Sequence, residues 1–350
     1  MTAQPQPKPL GAAIGEIKTV IADAIAAELI LGAVIGVGDA HSMTFDALGL
    51  SDPQRRRSVT VDTIFDCASL TKILATWAMI GRLWDAGGLS LDTTVSDVLK
   101  RVTGYPLETV TVRELLTHTA GLPTVTQLER YGVTRPDIEQ GILQEDLKRP
   151  PGTAVEYTDR AAFILGFIIE ELSGPLDKVC EEEIWQPLAM TDTHFGLASA
   201  DARTRTAVTD IDAHGHRLHG EVHDPSAQLL GGVCGSAGVF AAATDIAKFL
   251  RTVVAPSAGA APWSDEWNQM SLCVQTGPLR PSRGLAWMVA PGTAASEGVF
   301  CHYGFTGPTI WVCRPLKRYV VLLMNKVTYE QGRNDLAEMR NKVRSLAFES

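Results

Sequence analysis

A serine and a lysine three residues apart, Ser69 and Lys72, stand at the head of the run Ile73-Leu74-Ala75-Thr76-Trp77-Ala78-Met79-Ile80. Its apolar residues recur at helical spacing. Ser69 therefore falls where a helix begins, and Lys72 falls one turn on, so that the hydroxyl and the amine share a face and can meet. A serine hydroxyl is a weak nucleophile and needs a base. An ordinary lysine is protonated at neutral pH. Burial and the positive end of a helix both work against the ammonium, so Lys72 is expected to be neutral or to share its proton. Backbone N–H groups at the helix start are also placed to receive a developing oxyanion. Taken alone, the same spacing also describes a solvated first turn with a capping serine.

Length sets the next limit. A chain of 350 residues exceeds what one core usually fills. We expect one catalytic unit of two lobes, with 14–66 and 284–350 forming an α/β lobe and 69–283 a mostly helical one. The fold class is α/β (α+β), an antiparallel sheet flanked by helices. The formal charge of −9, with Arg55-Arg56-Arg57 as an isolated basic run, argues against a nucleic-acid partner. The apolar runs near 29–37 and 161–169 are too short to span a bilayer, so no membrane partner is expected. The start, Met1 to Pro9, is polar and Pro-rich and lacks a basic stretch followed by an apolar one, which predicts a cytoplasmic protein. The six cysteines form no C-x-x-C pair and predict reduced, mostly buried thiols.

Periodicity predicts an amphipathic helix over 14–29, a buried strand over 33–38, and a turn with a short second strand within 40–58. Helical signals dominate from Ser69 to about Gly235. Among them are a helix from Val112 behind the N-cap Thr111, and an apolar helix from Asp159 to Leu172 stopped by Ser173-Gly174-Pro175. Another helix spans 244–254. Beyond Gly284 the pattern turns to short strands, 284–290, 298–303, 309–313 and 319–325, in an antiparallel meander, and a helix over 334–348 closes the chain.

Two further stretches carry chemistry. Val155-Glu156-Tyr157-Thr158-Asp159-Arg160 follows a Pro-Pro-Gly turn and places a tyrosine in a loop, where it can shuttle a proton. By itself it is equally a tyrosine covering a loop, with Asp159 as an N-cap. Cys301-His302-Tyr303-Gly304-Phe305-Thr306-Gly307 ends a strand and opens a hairpin whose glycines let a ligand approach the backbone.

Ser-x-x-Lys, then Tyr-x-Asp, then His-x-Gly on a late strand follow the order found in the penicillin-recognising serine hydrolases. Over nearly its whole length the chain resembles the branch that holds class C beta-lactamases, DD-peptidases and family VIII-like esterases. Leu115 to Leu122, Pro151-Gly152-Thr153, Gly220 to Asp224 with Leu230 to Val233, and Gly304 to Gly307 add to the likeness. The resemblance implies a beta-lactamase/transpeptidase-like fold and a mechanism. Ser69 attacks a carbonyl, Lys72 and Tyr157 remove its proton, and Tyr157 returns it to the leaving group. The backbone N–H groups of Ser69 and Phe305 form the oxyanion hole, and Asp159, His302, Tyr303 and Gly304 contact substrate. No cofactor or metal is implied.

The chain also departs from that pattern. Asp159 stands where lactamases usually carry Asn, as it does in many esterase-like relatives. His302-Tyr303-Gly304 replaces Lys-Thr-Gly; a neutral His and a bulky Tyr bind a carboxylate less well, which points to a neutral ester or amide. In Gly235-Ser236-Ala237-Gly238, Ser236 takes a position where relatives often have His. The expected activity is that of a serine esterase on a small ester or amide. The alternatives are an acyltransferase using the same acyl-enzyme, a weak beta-lactamase or D-amino-acid peptidase, and a ligand-binding scaffold without turnover.

Other signals are weaker. His214, His216, His219 and His223 crowd together but lack a standard metal spacing. Cys234 breaks a Gly-x-Ser-x-Gly reading of Ser236. His118 and Cys67 read as structural, and His223 and Asp224 as neighbours of the cleft. The acyl acceptor and oligomeric state are not legible.

Overall fold

The computed structural model describes residues 8–125, 127–197, 199–211, 217–256, 261–326 and 333–349. The first helix, Leu10–Ala26, buries Ala13, Ile14, Ile17, Val20, Ile21 and Ala24, one stripe at helical spacing. It begins behind Pro9, and the chain turns out of it at Glu28, whose φ is +56°. The next segment is β1 (Ile30–Asp39), which turns tightly into β2 (Met43–Asp52). Asp39 caps that turn by accepting hydrogen bonds from the backbone N–H of His41 and Ser42. The second strand is thus ten residues long and not short.

Seven antiparallel strands form the main sheet. Its order is β3 (Arg57–Ser58), β2, β1, β12 (Arg318–Lys326), β11 (Thr309–Cys313), β10 (Val299–Tyr303) and β9 (Met288–Val289). β1 pairs with β12, so the two ends of the chain close one sheet. Alternate residues serve opposite faces. Ala33, Ile35, Val37, Leu322 and Met324 pack under the first helix and the C-terminal helix Arg333–Phe348. Val34, Val321 and Leu323 pack toward the rest of the molecule, including Ile246, Phe249, Leu250 and Val253 of the helix Ala243–Val254. The strand expected over 284–290 shrinks to two residues, because Gly284 N–H donates to the Trp287 carbonyl in a turn where Ala286 has φ +65°.

The central part of the chain is mainly helical, with two small β elements inside it. β4 (Ile64–Asp66), β8 (Val239–Ala242) and β5 (His194–Phe195) make one sheet, and β6 (Val208–Ile211) pairs with β7 (Arg217–His219). The segment from Ser69 enters the core beneath an aromatic cluster. Trp77 is fully buried, its ring lies 5.1 to 6.1 Å from those of Trp263, Trp287, Trp267 and Phe249, and its indole N–H donates to Ser271 Oγ at 2.9 Å. This packing holds the segment that follows Ser69 on a rigid base. Among the described residues, no helix is long and apolar enough to cross a membrane.

Candidate active site

Ser69 sits between β4 and the buried helix, and the chain there departs from an ordinary helix start. Ala68–Leu70 is a 3₁₀ turn, Lys72–Trp77 is π-helical, and an α-helix continues over Ala78–Asp85. Departures of this kind concentrate at functional sites. Ala68 takes φ +45°, unusual for a residue with a Cβ. Asp66 holds it there: its Oδ1 accepts the Ala68 N–H at 2.8 Å, and its Oδ2 accepts the His223 N–H at 2.8 Å. Burial, resisted by those bonds, pushes the Asp66 carboxyl up to about 6. Cys67 N–H donates to the Val239 carbonyl, and Val239 N–H to Thr71 Oγ1, which pins the turn to β8.

Lys72 is 3% exposed and spends all three of its protons. Nζ donates to Ser69 Oγ at 3.0 Å, to Asp159 Oδ1 at 2.7 Å and to the Ser236 carbonyl at 3.2 Å. Burial works against the charge, but the Asp159 carboxylate and then Tyr157 outweigh it and hold the amine above the ordinary lysine range. The neutral or proton-sharing Lys72 expected from its helix position is therefore corrected: a carboxylate in contact overrides burial and the helix end. The Ser236 contact uses the backbone, while its hydroxyl faces Cys234 Sγ at 3.4 Å.

Asp159 reaches Lys72 because it opens the helix Asp159–Ser173 without capping it. Thr158 is the N-cap; its side chain accepts from Arg160 N–H and donates to the Pro123 carbonyl at 2.7 Å. The Asp159 carboxylate is thereby released toward the site. Asp224 lies near enough for burial and the Asp159 charge to raise its own carboxyl, with Lys72 pulling the other way.

Tyr157 is 39% exposed and stands among four charged or aromatic groups. Lys72 Nζ lies 5.1 Å from its ring centroid and the Arg283 guanidinium carbon 5.3 Å. The His118 ring is 4.6 Å away and that of His302 6.2 Å. His118 holds the loop in place: its carbonyl accepts from Glu156 N–H and its Nδ1 from Thr158 N–H. Burial, then the nearby cations, keep both His118 and His302 well below the usual histidine range. His302 is thus neutral and supplies no positive potential beside Tyr157. Its Nδ1 is buried without a partner among the described residues.

Ser69, Tyr157, His302, Tyr303, Gly304 and Phe305 line one cavity of about 490 Å³, which suits a small ligand. Gly304 is where the end of β10 meets the turn that holds Ser69. A Cβ there would lie 2.7 Å from the Cys67 carbonyl oxygen. Thr306 Oγ1 donates to the Asp66 carbonyl at 2.9 Å and ties the next residues to the same turn. Phe305 is 48% exposed at the cavity edge, with the His223 ring 5.6 Å from its own. The expected site residues therefore converge, although they come from three separate parts of the chain.

Four lining residues were not singled out from sequence: Arg283, Met288, Lys326 and Arg340. No local motif marks them, since each belongs to a different segment of the β-rich end. Of the histidine cluster, His214 and His216 lie outside the described residues. His219 contacts the Thr206 carbonyl at 3.1 Å and Arg57 at 3.3 Å.

The sequence matches the family described as Beta-lactamase over residues 17–344. It is 29% identical over 306 residues, 76% of this chain and 70% of the other, to a protein of Escherichia coli (strain K12) whose name proposes a D-alanyl-D-alanine carboxypeptidase. It is 27% identical over 313 residues, 78% of this chain and 70% of the other, to the N-acetylmuramyl-L-alanine amidase of Bacillus subtilis (strain 168). Among solved structures, the class C beta lactamase from Rhodobacter sphaeroides superposes with a TM-score of 0.76 at 19% identity, covering 94% of this chain and 98% of that one. EstCE1, described as a hydrolase with promiscuous acyltransferase activity, gives 0.76 at 22% identity over 97% and 99% of the two chains.

Proposed function

Because this chain belongs to the beta-lactamase family, we propose that it forms an acyl-enzyme on Ser69 and acts as an esterase on a small carboxylic ester or amide. The observation that carries this reading is the contact of Lys72 Nζ with Ser69 Oγ at 3.0 Å, on the wall of a cavity that also holds Tyr157.

In this reading Tyr157 reacts as the phenolate: Ser69 Oγ bonds to the carbonyl carbon while its proton passes to the ionised Tyr157 oxygen. Lys72, already an ammonium, stabilises the oxygen as it loses that proton. The backbone N–H groups of Ser69 and Phe305 receive the carbonyl oxygen as it becomes negative. The bond to the leaving group then breaks, and Tyr157 gives the proton to the departing oxygen or nitrogen. Water repeats the sequence on the acyl-enzyme, returns the serine hydroxyl and releases the acid. The names of the Escherichia coli and Bacillus subtilis relatives keep an amide substrate within the proposal. The promiscuous acyltransferase activity ascribed to EstCE1 keeps an alcohol or amine in place of water as a second reading. Six free cysteines, five of them buried, suit the cytoplasmic setting expected from the sequence.

The test is intact-mass spectrometry during incubation with p-nitrophenyl acetate and butyrate, on wild type and Ser69→Ala. Nitrophenol release with a transient acyl adduct, both absent in Ser69→Ala, is the expected result. An adduct that discharges only on addition of an alcohol or amine selects acyl transfer. No adduct and no release, with fluorophosphonate and penicillin probes also inert, leaves the ligand-binding scaffold as the better account.

A further inference from the structure

Asp66 is 1% exposed and stands where three segments of the site meet. Its Oδ1 accepts the Ala68 N–H and its Oδ2 the His223 N–H, both at 2.8 Å. Its backbone carbonyl accepts the hydroxyl of the buried Thr306 at 2.9 Å. One residue thus joins the turn before Ser69, the hairpin that carries Phe305, and the segment whose His223 ring faces Phe305. The strand behind it is fixed, because Ile64–Asp66 pairs with β8.

The strain of this turn lies at Ala68. Its φ of +45° sets a Cβ in the left-handed region, a conformation that an L-residue takes about tenfold less readily than the right-handed one. The chain is held on either side of it: Cys67 N–H donates to the Val239 carbonyl, and Leu70 N–H returns to the Cys67 carbonyl at 3.0 Å. A rotation at Ala68 would therefore redirect the N–H and the hydroxyl of Ser69 relative to Lys72. Two N–H groups that converge on separate oxygens call for a carboxylate. An amide offers one oxygen and turns its nitrogen toward the other N–H. Hydrogen bonds to an ionised carboxylate are also about twice as strong as neutral ones, which suits the task of holding a disfavoured backbone.

We propose that Asp66 is a positioning residue for the reaction at Ser69: by holding Ala68 left-handed, and by tying His223 and Thr306 to the same point, it sets the place of the Ser69 hydroxyl and N–H. Asp66 is not among the residues that line the cavity, so it acts through the turn and not on the substrate. Its removal therefore falls on the chemical step and leaves ground-state binding alone. The assignment rests on the acyl-enzyme reading and deepens it.

A double-mutant cycle between Asp66 and Ala68 tests it, with p-nitrophenyl butyrate as substrate and at a temperature where circular dichroism shows each protein folded. Asp66→Ala should lose about 100-fold in kcat with KM within about twofold, the scale of a misplaced oxyanion donor. Asp66→Asn should lose less, because one acceptor oxygen remains. Glycine takes the left-handed conformation without the penalty of a Cβ. Measured against Ala68→Gly alone, the double variant Asp66→Ala with Ala68→Gly should therefore lose only about tenfold. A merely structural role would lower the thermal midpoint and leave the kcat of the folded protein unchanged. That pattern overturns the proposal, as does a kcat loss that is the same in both backgrounds, or failure of both Asp66 variants to fold. If wild type turns over no ester, the acyl-enzyme reading fails separately, and crystal structures of the variants decide the positioning. Ser69 Oγ drawn away from Lys72 Nζ in Asp66→Ala, and returned to 3.0 Å in the double variant, upholds it; a contact unchanged in Asp66→Ala overturns it.

Discussion

The Asp159 carboxylate stands 2.7 Å from the Lys72 ammonium, and this one contact decides the charge of the site. Lys72 is 3% exposed and cannot turn to water for a replacement partner. Asp159→Ala should therefore lower stability by about 2–3 kcal/mol at pH 7, and Asp159→Asn by less, because an acceptor remains. The Lys72 folded-state pKa is raised, so the stabilisation is fully present below the unfolded value of about 10.4 and disappears only as pH climbs through the folded one. Guanidinium unfolding of wild type and Asp159→Ala should show the same difference at pH 7 and pH 9. A difference that shrinks over that interval would mean the amine is already losing its proton.

Asp66 carries the opposite charge, but its linkage to pH has the same sign. Its folded pKa, about 6, lies above the unfolded value, so the native state binds this proton more tightly than the unfolded chain does. Its contribution is fully present below about pH 4 and is lost as pH rises through about 6. Wild type should lose about 2 kcal/mol of stability between pH 4 and pH 7 relative to Asp66→Asn. Parallel pH curves for the two proteins would count against it.

Gly304 allows β10 to abut the turn that holds Ser69. Its substitution by alanine sets a Cβ 2.7 Å from the Cys67 carbonyl oxygen, and a backbone atom cannot move aside cheaply. The shift would displace the Phe305 N–H from the oxyanion position proposed for it, at a loss of about 100-fold in kcat. Steady-state kinetics on p-nitrophenyl butyrate should show that fall with KM little changed. A rise in KM alone would place Gly304 in ground-state binding.

Ser236 makes a contrasting case. Lys72 uses its carbonyl, and the hydroxyl faces Cys234 Sγ. Ser236→Ala should keep kcat/KM within about twofold, because removing a weakly engaged hydroxyl changes little. A loss of tenfold or more would show that the hydroxyl itself serves the reaction.

Arg283 carries a charge that is buried without a partner among the described residues. Replacing such a charge with an apolar residue of similar length is stabilising, by about 1–2 kcal/mol here. Arg283→Met should raise the thermal midpoint by a few degrees. A lowered midpoint would show that the guanidinium contributes to folding.

Much of this architecture could be read locally. The helices Leu10–Ala26, Asp159–Ser173 and Ala243–Val254 follow from apolar periodicity, and the strand Thr309–Cys313 from a short β-rich run between turns. The serine, the lysine and the tyrosine stood out because their spacing and flanking motifs are short-range patterns. Whether an aspartate at a helix start caps that helix or leaves it is not such a pattern; Thr158 takes the cap and frees Asp159. The brevity of β9 likewise depends on a turn closed by Gly284 and Trp287, which no alternation reveals.

The sequence by itself determined the order of Ser69, Lys72, Tyr157 and the late strand, and the elements that carry them, because spacing along the chain dictates which side chains share a helix face or a strand end. Only the tertiary structure decided that β1 lies beside β12, that Lys72 is charged, and that Arg283 and Arg340 join Ser69 around one cavity. Protonation and electrostatic selectivity depend on distances through space and on the loss of water around each charge. Neither quantity exists until segments far apart in the chain have packed together.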